Sequence, residues 1–255
     1  MVLAKAVQNV FIVAAKRTAF GTYGGKLKNM SCTDLTEIAA KAALESANVK
    51  PEAVTSVVVG NVIQSSSDAP YIARHVGLRI GVPIHVPALT VNRLCGSGFQ
   101  AIINAAQEIL LGESDIAVCG GAENMSMAPF AVRNARFGTT LGVDLKLEDV
   151  LWHGLTDAHI KMPMAITAEN LAVKYNLCRD EVDEVALRSQ TRWIAAQKAG
   201  KFNMEIAPIV LKGKKGPENF EVDEHPRETN KESLSKLPPL FKKGGVVTAG
   251  NASVS

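Results

Sequence analysis

An α/β protein built on a mostly parallel sheet is the fold class that the sequence predicts, and three observations predict it. Strand-length apolar runs alternate with segments of helical periodicity through the first 120 residues, which is the rhythm of crossover units. Of 255 residues, 47% are hydrophobic and 21% charged. That balance buries a sizeable core, in one large domain or one domain carrying an insertion. Aromatics make up only 5%, so the close packing must come from alanine-rich helices against valine-rich strands.

The elements follow in order. VFIVA at 10–14 is an apolar run of strand length. Thr33 is placed to cap a helix reaching about Asn48, with Leu35, Ile38, Ala39 and Ala42 on one face. SVVVG at 56–60 has three consecutive β-branched valines, as a strand covered on both faces would. A short helix over 71–80 is stopped by Gly81 and Pro83, and ALTVN at 88–92 is a third strand. A helix over 98–111 ends at Gly112, and DIAVC at 115–119 is a fourth strand.

After Gly121 the rhythm changes. Residues 125–151 show no clear period. Helices are expected over 166–175 and 179–199, the second with Val182, Val185, Ala186, Ser189 and Trp193 on one stripe. A strand at 206–211, a Lys/Gly/Pro turn at 212–217 and a strand at 219–222 form a hairpin. The expected organisation is an N-terminal α/β part over 1–121, an inserted loop or lid subdomain over 122–245, and the start of a return strand over 246–255.

Several function classes lose support at once. A net charge of +3 is too small to argue for a nucleic-acid partner, and no run of 18 apolar residues forms a transmembrane segment. Cys32, Cys95, Cys119 and Cys178 lie far apart, as reduced thiols do, and the five histidines do not cluster with them at metal-ligand spacing. Lys5, Lys16, Arg17, Lys26 and Lys28 all precede the first acidic residue, Asp34. This basic start is either a mitochondrial targeting signal or the solvated end of a first strand.

Chemistry concentrates at VNRLCGSGFQAI, residues 91–102, where a buried strand turns through Cys95 into a helix. Helix N-termini present unpaired N–H groups and partial positive charge, which favour an anion. They bring cysteine pKa values from about 8.5 into the range of roughly 3.5 to 7.5. Cys95 is therefore either an activated nucleophile or a small buried hydrophobe beside a glycine turn. Cys119, closing a strand before Gly120 and Gly121, is expected to be structural, and Cys32 and Cys178 incidental.

Five motifs, VNRLCGSGFQAI, CGGAENMSMAP, LTDAHIKMPMAITAENLA, VDEHPR and VVTAGNAS, resemble the thiolases in this order across the whole chain. VAAKRTAFGTYGG and GNVIQSSSDAPYIARHVGL are most similar to the mitochondrial 3-ketoacyl-CoA branch. The resemblance implies a thiolase fold, here an N-terminal α/β half with an inserted loop domain. It implies that Cys95 attacks the keto carbon of a 3-ketoacyl-CoA, so that acetyl-CoA leaves and free CoA collects the acyl group in fatty acid β-oxidation. It also implies that Arg227 lies near the adenine and phosphate end of CoA, where a guanidinium offers charge and forked donors. Thr229, Ala249, Ser253 and Met164 complete the implied substrate and CoA set. The alternative for Arg227 is a solvated rim charge, and Lys212, Lys214, Lys215, Lys242 and Lys243 either attract CoA phosphates or form an ordinary basic surface. Pro163, where some relatives carry histidine, favours the 3-ketoacyl-CoA type. Coenzyme A is a substrate in this reading, with no resident cofactor or metal, and the resemblance implies a homodimer or tetramer.

The same resemblance leads one to look for a histidine in GHP, an asparagine in NEAF and a second cysteine in a C-terminal CxG, and none of these occurs. Val254 and Ser255 depart from the family pattern that follows NAS. The expectation is a truncated first half with an unpaired sheet edge and exposed apolar surface, doubtful in turnover by itself. The alternative function is a non-catalytic CoA-binding module that pairs with a full-length thiolase.

Overall fold

A computed structural model describes residues 9–213 and 216–253. Lys5, Lys214, Lys215, Val254 and Ser255 lie outside these residues. In chain order the elements begin with β1 (Arg17–Thr18), α1 (Cys32–Ser46), β2 (Ser56–Gly60), α2 (Ile72–Arg79), β3 (Ala88–Val91), α3 (Ser97–Leu111) and β4 (Ala117–Gly121). They continue with β5 (Phe130–Val132), β6 (Leu147–Asp149), α4 (Val150–Gly154), β7 (Thr156–Asp157), β8 (Met162–Pro163), α5 (Met164–Tyr175) and α6 (Arg179–Lys198). β9 (Ile206–Ala207), β10 (Ile209–Gly213), β11 (Gly216–Phe220) and α7 (Lys231–Ser235) complete the described chain. By contacts it divides into two compact units, one of the residues up to Pro129 with Glu205–Val222, the other of Phe130–Met204 with the residues from Asp223 onward.

The first unit carries the parallel α/β layer, and it takes in Glu205–Val222, a stretch assigned from the sequence to the insertion. Its three-stranded sheet has the order β3-β2-β4 with both pairings parallel. β2 is central and buried at every position, because β-branched side chains fill the space on both faces. Val57 and Val59 pack with Cys32, Leu44, Ile72 and Val76, and Val58 packs on the other side with Ala101 and Ala105 of α3. Each of these Val, Leu and Ile side chains contributes about 1.5–3 kcal/mol when fully buried. The alanines on α3 let that helix lie close to the sheet. Gly112 ends it in the left-handed conformation at φ 74°.

Three expectations need correction here. VFIVA at 10–14 forms no strand, and Phe11, Ile12 and Val13 are 74%, 79% and 69% exposed. Apolar composition supplies strand propensity, but a strand needs a ladder partner, and this segment finds none among the described residues. The cap of α1 is Ser31, not Thr33. Ser31 accepts from the Asp34 N–H at 3.1 Å while its own N–H donates to the Asp34 carboxylate at 3.2 Å, a reciprocal capping box. The hairpin is tighter than expected, with Gly213 opposite Gly216 and the pairing running antiparallel to Ile209 and Phe220. Those two residues cover Ala19, Leu27 and Leu35, while β9 pairs in parallel with β1.

In the second unit α5 and α6 occupy the expected places. The buried stripe of α6 is nevertheless Asp183, Ala186 and Gln190. Val185, expected inside, is exposed. Polar side chains take these positions because they hold neighbouring segments. Asp183 pairs with Arg179 at 2.7 Å and accepts from Asn251 at 2.8 Å, while Gln190 accepts the Arg227 N–H at 3.0 Å. No helix among the described residues is long and apolar enough to cross a membrane.

Candidate active site

Parallel strands end on the same side, so β2, β3 and β4 deliver three loops to one edge of the sheet, where open α/β sheets bind ligands. The ladder continues a little beyond the strands. The Asn61 N–H donates to the Val91 carbonyl at 3.1 Å and the Ala122 N–H to the Gly60 carbonyl at 3.0 Å. Glu123 then ties β4 to the loop after β2. Its carboxylate accepts from the N–H groups of Val62 (2.9 Å) and Ile63 (3.1 Å) and from the Asn61 amide (3.3 Å). Burial pushes the Glu123 carboxyl above its usual range, against the pull of those donors. Asn92 links the third loop by donating to the Val62 carbonyl at 3.3 Å.

Cys95 sits in that third loop, two residues ahead of α3, and is exposed. The turn that presents it is unusual. Leu94 has φ 49°, in the left-handed region that costs a residue with a Cβ roughly 1–2 kcal/mol. Leu94 is itself 65% exposed, so burial of its side chain does not fix this conformation. Hydrogen bonds do. The Ser97 hydroxyl accepts from the Arg93 N–H at 2.8 Å and donates to the Leu94 carbonyl at 2.6 Å. The Leu94 N–H is taken by Asn92 Oδ1 at 3.0 Å. At about 1 kcal/mol each, these bonds offset the strain.

Glycines set how close α3 comes to the strand ends. A Cβ on Gly60 would stand 2.5 Å from the Ser97 carbonyl oxygen and 2.7 Å from the Gly98 nitrogen. One on Gly121 would stand 2.7 Å from the Gly98 Cα. Both strands must end in glycine for the helix to begin where it does. The glycine motif after Cys95 was legible in the sequence; these partners, far away along the chain, were not.

The remaining cysteines differ from Cys95. Cys32 is buried, its Sγ 3.6 Å from the Ser65 Oγ, and burial pushes its thiol pKa up. Cys119 is exposed on β4, an edge strand. Cys178 is exposed and precedes α6, its N–H held by the Glu181 carboxylate at 2.8 Å. Among the described residues no side chain hydrogen-bonds to Cys95. His75 lies 3.6 Å from Asp68, and His153 faces the Asp149 carbonyl and Glu148.

The other expected site residues belong to the second unit, whereas Cys95 belongs to the first. Met164 opens α5 and is exposed. Arg227 is exposed, its backbone anchored to Gln190, and Thr229 is half-buried two residues on. Ala249 and Ser253 are exposed on a loop that Asn251 folds back on itself, accepting from the Thr248 N–H at 2.8 Å and donating to the Val246 carbonyl at 2.9 Å. Glu169 holds the preceding strap. It is 2% exposed, and its carboxylate accepts from the N–H groups of Val246 (3.0 Å) and Val247 (2.8 Å). Sequence reasoning missed Glu169, Asp183, Asn251, Ser97 and Asn92. For Asp183 a signal existed, namely an Arg179–Asp183 pair at i, i+4 on the buried side of a helix.

Residues 10–254 match the model of the thiolase N-terminal domain. Human mitochondrial 3-ketoacyl-CoA thiolase is 62% identical over 248 residues, covering 97% of this chain and 62% of that protein. A crystal structure of the human enzyme superposes with a TM-score of 0.92 over 94% of this chain and 61% of its own. A second, in complex with CoA, gives 0.90 at 61% identity, over 94% of this chain and 60% of its own. The chain thus spans a little over three fifths of the length of these relatives.

Proposed function

Because the chain belongs to the thiolase family, we propose that it supplies the acyl-accepting cysteine of a 3-ketoacyl-CoA thiolase. Cys95 attacks the keto carbon, and the bond from that carbon to the acetyl carbon breaks. A proton is added there as acetyl-CoA leaves, and the acyl group stays on sulfur until a CoA thiol takes it by thioester exchange. Covalent capture divides one hard exchange into two easier ones. The observation that carries this reading is the exposed Cys95 on a left-handed turn between a parallel strand and a helix, at the strand ends.

In this proposal coenzyme A is a substrate. Arg227 meets its phosphates, and Met164, Thr229, Ala249 and Ser253 line its path. That role is supported by the motif match and by the relative solved in complex with CoA. The mitochondrial names of the relatives support a mitochondrial location, and removal of an acetyl unit from a 3-ketoacyl-CoA is a step that fits β-oxidation. Incubation with a 3-ketoacyl-CoA followed by peptide mass mapping tests the reading. A thioester mass on the Cys95 peptide, absent in Cys95→Ser, is expected. An unmodified Cys95 in folded protein refutes the proposal.

A second reading is a subunit-binding partner of an intact thiolase. The exposed apolar run Phe11, Ile12 and Val13 and the exposed Phe99 and Leu111 of α3 favour it. Stable co-purification with the intact enzyme, together with an unacylated Cys95, would select it.

A further inference from the structure

We propose that the Ser97 hydroxyl, assisted by the Asn92 amide, is the positioning device of Cys95, an inference that rests on the reading of Cys95 as the acyl acceptor. Leu94 adopts φ 49° without help from its own side chain, which stands in solvent. What remains to impose the conformation is the set of bonds around it. Ser97 is 4% exposed, and its oxygen binds the N–H of Arg93 and the carbonyl of Leu94, two consecutive residues before the cysteine. Asn92 takes the Leu94 N–H and passes the connection to the Val62 carbonyl after β2. One short hydroxyl and one amide therefore add three side-chain bonds at Arg93 and Leu94 to the two backbone bonds of the turn, from the Gly96 N–H to the Arg93 carbonyl at 3.1 Å and from the Ser97 N–H to the Leu94 carbonyl at 3.0 Å. They also reference the turn to both the helix and the neighbouring strand loop. With Leu94 so held, the residue after it faces solvent while Ser97 turns inward. Relaxation of Leu94 to an ordinary conformation would re-aim the thiol.

Among the described residues both side chains bind backbone groups of the turn and not the Cys95 thiol, so the role is positional and its signature is a split between two reactions of the same sulfur. Alkylation by iodoacetamide needs only exposure; acylation by a 3-ketoacyl-CoA needs alignment. In Ser97→Ala, acylation of Cys95 is expected to fall about tenfold or more, the scale of loss from a sub-ångström to ångström misplacement. Alkylation of Cys95 and of Cys119 in the same sample should change less than about twofold on that scale. Ser97→Thr, which keeps the hydroxyl, should restore acylation. Asn92→Ala, at an exposed position, should give a smaller loss of the same kind. The conformation is read separately from the Leu94 Cα and Cβ chemical shifts, which should leave the left-handed range in both alanine variants. Acylation of both variants within twofold of the wild type overturns the proposal, as does a Leu94 that stays left-handed in both. If the wild-type Cys95 takes no acyl group, the functional reading fails instead, and the Leu94 shifts alone decide this inference.

Discussion

A methyl group placed on Gly60 is the sharpest probe of how the Cys95 loop is built. The added carbon would lie 2.5 Å from the Ser97 carbonyl oxygen and 2.7 Å from the Gly98 nitrogen. Ordinary contact begins near 3.5 Å, so the start of α3 would have to withdraw by roughly 1 Å. Both obstacles are backbone, and no rotamer change relieves them. Overpacking of this kind costs typically about 1–3 kcal/mol, and the upper end applies here. At roughly 2–4 °C per kcal/mol for a chain of this size, Gly60→Ala should melt about 6–12 °C below the wild type. Gly98→Ala is the control. Its methyl would find the Gly121 Cα and nitrogen at 3.6 Å, an ordinary contact, and alanine gains up to about 1 kcal/mol over glycine in a helix. Gly98→Ala should therefore melt level with the wild type or slightly above it. Thermal unfolding followed by circular dichroism reads both. A Gly60→Ala melt within about 2 °C of the wild type, or a Gly98→Ala loss as large as that of Gly60→Ala, refutes the reasoning.

Further expectations follow from the charged and buried groups. Arg79 lies 2.8 Å from Asp34 and 3.3 Å from Asp68; although partial desolvation pushes both carboxyls up, their hydrogen bonds, including those from Ser31 and Ser66, hold them below their usual range. The stabilisation is then present at neutral pH and lost as pH falls through the lowered values, so Arg79→Ala should cost about 0.5–1 kcal/mol at pH 7. In urea titrations that difference should close below about pH 4; a difference that persists there contradicts it. Burial raises the Glu123 carboxyl, so the folded state keeps a proton that the unfolded chain has released, and stability falls as pH rises from the ordinary glutamate range through the raised value. Glu123→Gln should remove that slope, and an unchanged slope between the two proteins would count against the assignment. Glu169→Ala strips the acceptor from the Val246 and Val247 N–H groups and should cost about 3 kcal/mol. Hydrogen exchange at those two amides should accelerate, and protection equal to the wild type would show that the carboxylate does not hold the strap.

The sequence was most readable where a residue's own pattern decides its structure. SVVVG became β2 because a run of β-branched residues can satisfy burial on both faces, and Gly112 ended α3 through its own left-handed φ. Cys95 was found because a strand, a glycine turn and a helix start are all local signals. What the sequence hid depends on partners far along the chain. Asp183 and Gln190 displace Val185 from the buried side of α6 because Asn251 and Arg227 bind them. Ser31 and Thr33 offer similar hydroxyls, and only the reciprocal bond to Asp34 separates them. The left-handed Leu94 was illegible because leucine carries no preference for that conformation, which its neighbours impose.

The return of Glu205–Val222 to the first unit bears on how the protein is made. β1 emerges from the ribosome early, yet its parallel partner β9 follows almost 190 residues later, and Ile209 and Phe220 cover Ala19 and Leu27 only then. At roughly 5–20 residues per second, these early residues wait about 10–40 s uncovered. Contacts so distant along the chain slow folding, so within the first unit this layer should close late and rely on chaperones during synthesis.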